Sequence, residues 1–446
     1  MKQCDFTNGN ITSKLMAFAL PMIAGNILQQ CYNIADTLIV GRWLGRDALA
    51  AVGSSFSLMT FITSIILGLC MGSGVAFSIS YGEGDVHKLK SDILHSFILI
   101  FPAALLINVV AVLGLDPIMT LLRVPDEVVP YMREYLQVIF VGIIATFLYN
   151  YFASLLRAVG NSVAPLIFLG VSALLNVGLD LLFILAFDMG VGGAAWATVI
   201  AQYVSGIGAA VYTLAAFPEY RISRGETTFD SAKLKGIAGL SFMTSVQQSV
   251  MNFGILMVQG LVNSFGAVIM AAFAAGVKID SFAYMPVQDF GNAFSTFIAQ
   301  NYGAGKTERI KKGIRGAVIC VSVFCVAVSA LIFVLAPMLI GIFVEPTETE
   351  IIAEGARYLR VEGVLYIGIG ILFLLYGYYR AVKRPGMSVI LTVCSLGTRV
   401  ALAYILSAIP SLGVVGIWVS VPIGWAFADI VGAVYYRYLS RRERTL

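Results

Sequence analysis

Long apolar stretches separated by short charged turns recur along the whole chain. Between Lys14 and Arg42 the run from Leu15 to Val40 carries a single charged residue, Asp36. A continuous membrane helix needs only about 20 apolar residues, so this stretch spans with length to spare. Apolar segments fall at 15–41, 50–81, 93–114, 131–155, 163–187 and 193–217. The most polar stretch, Glu219 to Lys235, follows with Arg221, Arg224, Glu226, Asp230 and Lys233. A second set then occupies 236–263, 268–302, 316–340, 355–379, 386–409 and 413–436. The pattern predicts an all-α integral membrane protein with twelve transmembrane helices in two bundles of six. Residues 1–218 form the first bundle in this reading, 219–235 a cytoplasmic linker and 236–446 the second bundle.

The halves repeat. Gly45, Ala50-Ala51, Tyr81-Gly82-x-Gly84 and Lys90 match Gly266, Ala271-Ala272, Tyr302-Gly303-x-Gly305 and Lys311 at one separation, 221. Tyr135-Leu136, Arg157-Ala158-Val159, Gly190 and Gly193 match Tyr358-Leu359, Arg380-Ala381-Val382, Gly413 and Gly416 at 223. An even number of spans per half makes the repeat parallel, about an axis along the membrane normal, with a cleft expected between the bundles. That pattern favours a rocking transporter over a channel or an intramembrane enzyme.

Composition agrees. Of 446 residues 59% are hydrophobic and 12% charged, with a mean hydropathy of +0.88, whereas a soluble domain carries about 25% charged residues. When loops are assigned alternately to the two sides, 21 Lys and Arg fall with the termini and 7 opposite, Arg399 being left inside a span. Both termini are therefore expected in the cytoplasm of a prokaryote, and the protein in its cytoplasmic membrane. Six cysteines without a Cys-x-x-Cys pair and only two histidines exclude a disulfide framework and histidine-based metal chemistry. Gly82-x-Gly84 and Gly303-x-Gly305 lack the Gly-Lys-Ser/Thr of a P-loop, so they are loop turns and ATP is not the expected fuel. No clustered catalytic set is present, so no enzyme is expected.

Depth arithmetic picks out the chemistry. On the fifth span Asn176 and Asp180 stand one turn apart on one face. Asp180 lies eight residues before Asp188, roughly 12 Å below the outer end at 1.5 Å per residue. Thr198 on the sixth span and Asp36 on the first reach a similar depth. An acid in a span costs about 2.5–3.5 kcal/mol on insertion scales and marks a cavity or a partner. Two carboxylates, an amide and a hydroxyl suit a proton or a hard cation such as sodium, because the two acids would repel without one. The alternative is a hydrogen-bonded cluster that only joins helices.

These residues resemble the multidrug and toxic compound extrusion (MATE) family. Leu20-Pro21, Gln30, Asp36, Val40-Gly41 and Leu44-Gly45 carry the resemblance in the first span. Arg157-Ala158-Val159-Gly160, Gly193-Ala194-Ala195-x-Ala197-Thr198 and Gln300-Asn301-x-Gly303-Ala304-Gly305 extend it over the whole chain. It implies cation-coupled export of organic, often cationic, compounds. In many prokaryotic members the residues matching Asp36, Asn176, Asp180 and Thr198 form the coupling site. Some members place coupling acids in the seventh and tenth spans. Here the seventh offers Gln247 and Gln248 and the core of the tenth, Val364 to Tyr379, has no acid, so coupling there is not expected.

In the second bundle Asp289 and Arg399 both fall near the midplane and are expected to pair. With Gln30, Gln247, Gln248 and Tyr284 they form the candidate substrate cleft. The chain is thus expected to be a secondary antiporter that exports amphipathic organic molecules, driven by protons or sodium. It should need no cofactor, bind membrane lipid but no nucleic acid, and work as a monomer. The rival function is flipping a lipid-linked saccharide; that would need several cationic residues in the cleft, and Arg399 is the one clear mid-span cation.

Overall fold

The computed structural model describes residues 4–121, 124–223 and 228–442. Lys2, Arg123, Arg224 and Arg444 of the charge count, and Glu226 of the linker, lie outside the described residues. The elements are α1 Ile11–Trp43, α2 Arg46–Glu83, α3 Val86–Leu113, α4 Leu115–Leu121, α5 Val129–Ala158, α6 Val163–Leu181 and α7 Gly190–Ala216. The second half supplies α8 Ser231–Asn263, α9 Ala267–Gly303, α10 Thr307–Ile340, α11 Thr349–Gly363, α12 Tyr366–Ala381, α13 Pro385–Ser407 and α14 Val414–Arg442. No strand occurs among the described residues.

Ten of these helices are long and apolar enough to cross a membrane; α11 and α12, bent by 50°, together make an eleventh span. The twelfth is α8, whose 33 residues suffice for crossing. Buried Ser241, Thr244, Ser245, Gln247 and Gln248 dilute its apolar character. Large apolar side chains such as Leu174 (79% exposed) and Val334 (71%) face outward, the inverse of a water-soluble surface. The broken tenth span contrasts with unbroken α5, its repeat partner. Its break at Gly363–Leu365 is held by the Ser329 hydroxyl, which donates to the Gly363 carbonyl at 2.5 Å. Such breaks survive in lipid only where protein satisfies the freed backbone groups.

The chain forms two compact units. Unit 1 comprises Met1–Thr7, Ala17–Ser245 and Gly303–Gly305; unit 2 comprises Asn8–Met16, Val246–Tyr302 and Lys306–Leu446. Within unit 1 the entry to α8 is fastened to α2 and α3. The Lys233 ammonium lies 3.1 Å from the Asp92 carboxylate, which also accepts from Ser80 at 2.5 Å. The Asp230 backbone N–H donates to His95 Nε2 at 2.8 Å, and Phe229 stacks on that imidazole. These partners explain why Asp92 can be 4% exposed.

Further along, α2 and α8 touch backbone to backbone. A Cβ at Gly68 would stand 2.3 Å from Ser245 Cα, and one at Gly72 would stand 2.4 Å from Ser241 Cα. The Ser73 and Ser241 hydroxyls bond across the contact at 2.9 Å. Small residues four apart let helices approach this closely in lipid. Gly68→Ala and Gly72→Ala should each lower the unfolding temperature in detergent. Gly239→Ala, with open space at its Cβ, should hold or raise it, alanine being favoured in a helix by about 1 kcal/mol. Equal effects at all three positions would show that the close approach is unimportant.

Candidate functional site

In unit 1 the side chains selected by depth converge. The Asp36 and Asp180 carboxyl groups lie within electrostatic range of one another. The Asn176 amide nitrogen donates to Thr198 Oγ1 at 3.2 Å, which turns its Oδ1 inward without a donor. Asp36 Oδ1 and both Asp180 oxygens are likewise buried with no hydrogen-bond donor. Asn176 is 2% exposed and Asp180 fully buried. Regular helix explains the geometry: Asn176 and Asp180 are one turn apart on α6, and Leu182–Ala186 continues it as a π-helical turn. Four acceptor oxygens with no donor form a site suited to a proton or an oxygen-seeking cation. The set fits sodium by donor chemistry. Among the described residues no three His, Cys, Asp or Glu cluster as a softer metal would want.

Sequence reasoning missed Tyr135 of α5, which lies within electrostatic range of both acids. Its signal was present, because Tyr135 is one of the residues that define the repeat.

The remaining candidates divide. Gln30 lies in unit 1, whereas Gln247, Gln248, Tyr284, Asp289 and Arg399 lie in unit 2. Gln247 and Gln248 line a small polar hollow with Gln288, Asn292, Tyr376 and Arg380. Tyr284 stacks on Phe373, another wall of that hollow. Arg380, counted from sequence as a cytoplasmic loop charge, is instead a buried residue of α12, 4% exposed. Its guanidinium donates to Asn292 Oδ1 at 3.0 Å, so unit 2 holds a buried cation besides the half-buried Arg399. Arg157, counted the same way, belongs to the last turn of α5.

The pairing expected of Arg399 with Asp289 extends to other acids of the second unit. Arg399 lies in electrostatic range of Asp280 and Glu362. Asp280 precedes Asp289 by nine residues on α9, two and a half turns, so the two acids occupy opposite faces. Asp280 accepts from the Tyr358 hydroxyl at 2.6 Å and from the Tyr366 hydroxyl. The Glu362 carboxyl lies within electrostatic range of Asp280, and its Oε2 is buried without a hydrogen-bond partner. Glu362 is 3% exposed and sits just before the bend between α11 and α12. The tenth span therefore does contribute a buried acid, two residues before the stretch in which it was sought.

The MatE family model matches residues 21–182 and 241–405, covering both halves. The chain therefore belongs to the MATE family and is an all-helical membrane transporter of the multidrug antiporter class. It is 31% identical over 98% of its length to a probable multidrug resistance protein, YpnP of Bacillus subtilis, and covers 97% of that chain. It is 26% identical to the probable multidrug resistance protein NorM of Thermotoga maritima, over 94% of this chain and 90% of that one. In fold it is similar to a solved outward-facing multidrug resistance MATE transporter of the MOP superfamily. That match has a TM-score of 0.91 over 98% of both chains, at 24% identity.

Proposed function

We propose that this antiporter exports amphipathic, often cationic, organic compounds from the cytoplasm and is driven by protons or sodium entering through Asp36, Asn176, Asp180 and Thr198. The observation that carries this reading is that four oxygens of that cluster, Asp36 Oδ1, Asn176 Oδ1 and both of Asp180, are buried with no hydrogen-bond donor. Like charges so close require a positive partner, and an exchangeable one makes the site ion-responsive. Gln30, Gln247, Gln248, Tyr284, Asp289 and Arg399 remain the proposed substrate contacts, with Arg380 added. The chain works as a monomer among lipids, in two halves of six spans, 1–218 and 236–446, joined at 219–235. Flipping of a lipid-linked saccharide is the less favoured reading, since the relatives are named for multidrug resistance. The test is cationic dye efflux from proteoliposomes under separately imposed proton and sodium gradients. One gradient should drive export; if neither does, the antiport reading is lost.

The same reading places both termini and residues 219–235 in the cytoplasm. In a cysteine-free background, cysteine at exposed Met189 should react with an impermeant thiol reagent in intact cells, and cysteine at exposed Ser223 should not. The reverse pattern would invert the orientation.

A further inference from the structure

Unit 2 buries a guanidinium with no acid against it. Arg380 of α12 is 4% exposed and lines the polar hollow with Gln247 and Gln248 of α8 and Gln288 and Asn292 of α9. Among the described residues it makes one side-chain hydrogen bond, to Asn292 Oδ1, and belongs to none of the ion pairs. A guanidinium carries five N–H donors in a planar fork, so most of them are left for another partner. Gln247 is 2% exposed, and its Oε1 is buried without a donor. Among the described residues no acidic side chain lines the hollow. Gln288 and Asn292 stand one turn apart on one face of α9. At the repeat separation of 221 they fall on Leu67 and Met71, so the polar lining is particular to unit 2.

We propose that this hollow is an anion subsite, in which Arg380 holds the carboxylate of an exported amphipath and Gln247 accepts from an N–H or O–H beside it. A buried cation is costly unless an opposite charge reaches it. The dipole at the C-terminal end of α12, whose last turn contains Arg380, offsets part of that cost. It makes no use of the planar fork, which matches a carboxylate through two parallel hydrogen bonds. The four amides around the guanidinium donate as well as accept, so an anion finds further N–H groups on α8 and α9. Phe373 and Tyr376 offer the ligand's apolar body two aromatic faces at the same hollow. The class selected is therefore organic compounds that carry an acid group, zwitterions included. The inference rests on the reading of unit 2 as a substrate site.

The test uses two dyes that share one xanthene cation. Rhodamine 110 carries a free carboxylate, and rhodamine 123 carries its methyl ester. Fluorescence anisotropy with the purified full-length protein gives the affinity for each. Wild type should bind rhodamine 110 at least about tenfold more tightly, as a charge-assisted pair requires. Equal or tighter binding of the ester overturns the proposal, and this arm needs no variant to fold. In Arg380→Gln the preference should collapse toward one, and Arg380→Lys should keep part of it. A structural arginine would weaken both dyes together, so a folded Arg380→Gln protein that keeps the preference also overturns the site. Phosphatidylglycerol added to the micelles should leave rhodamine 110 bound. Displacement that Arg380→Gln abolishes would assign the hollow to a lipid headgroup and overturn the substrate carboxylate. Binding is read without a gradient, so the two readings fail separately. An intact preference with no gradient-driven export of either dye overturns antiport alone, and export with no preference overturns this subsite alone.

Discussion

Asp36→Asn is expected to give a folded protein that binds substrate and no longer exports it against a gradient. Asp36 faces Asp180 across a site whose oxygens have no donor. In the variant the new amide nitrogen can donate to the Asp180 carboxylate, imitating the ion-occupied state. A group that cannot change its occupancy cannot link the gradient to conformation. Efflux driven by the gradient should therefore fall to background. Dye affinity of the purified protein should change modestly while losing its dependence on pH or sodium. Natural coupling energies of about 1–3 kcal/mol correspond to 5–150-fold shifts, so the loss is measurable. Binding and efflux must be measured on one preparation. Wild-type efflux with intact ion dependence would mean that Asp36 is a helix contact and no coupling group.

Asp180→Asn should behave alike, whereas Thr198→Val should weaken coupling without abolishing it. Thr198 accepts only the Asn176 amide, and its loss frees that amide to turn. These differences follow from which oxygens face the site, a matter that sequence spacing alone settled well in unit 1. There the four residues lie on regular helices within one bundle, and counting residues from the span ends gives true depth. Asn176 and Asp180 also share a face by their spacing of four.

In unit 2 the same arithmetic misled. Lys278, Arg357 and Arg360 count as loop charges in the sequence, and Asp280 and Glu362 beside them are not singled out. In the folded chain α9 begins at Ala267, which puts Asp280 well inside the helix. Lys278 meanwhile reaches out over the Phe343 ring, 5.6 Å from its centroid. Long basic side chains can rise to the interface while their backbone lies deeper. Depth also says nothing about face, and for that reason it could not separate Asp289 from Asp280, which lies on the opposite face of α9 and within electrostatic range of Arg399. The 50° bend at Gly363–Leu365 was not legible either, because unbroken α5 shares its repeat position.

The second large effect is expected at Asp280, where two variants separate hydrogen bonding from charge. Asp280 ties α9 to both sides of the bend through the Tyr358 and Tyr366 hydroxyls, and it faces Arg399. In Asp280→Asn the side-chain carbonyl still accepts from a tyrosine, and Glu362 still compensates Arg399. Interhelical hydrogen bonds in membrane proteins average about 0.6 kcal/mol and reach about 1.7, so this variant should lose stability on that scale. Asp280→Leu removes both acceptors and sets an apolar side chain against two buried hydroxyls beside a guanidinium. Leaving a buried hydroxyl without its acceptor costs about 1–3 kcal/mol for each of the two, a large fraction of total stability. Folded yield and unfolding temperature in detergent should therefore drop steeply for Asp280→Leu and slightly for Asp280→Asn. If Asp280→Asn is as damaging as Asp280→Leu, the negative charge itself holds the bend and Glu362 cannot stand in for it. If neither variant destabilises, the bend is set by backbone packing at Gly363, and the Asp280 cluster is free to serve transport alone.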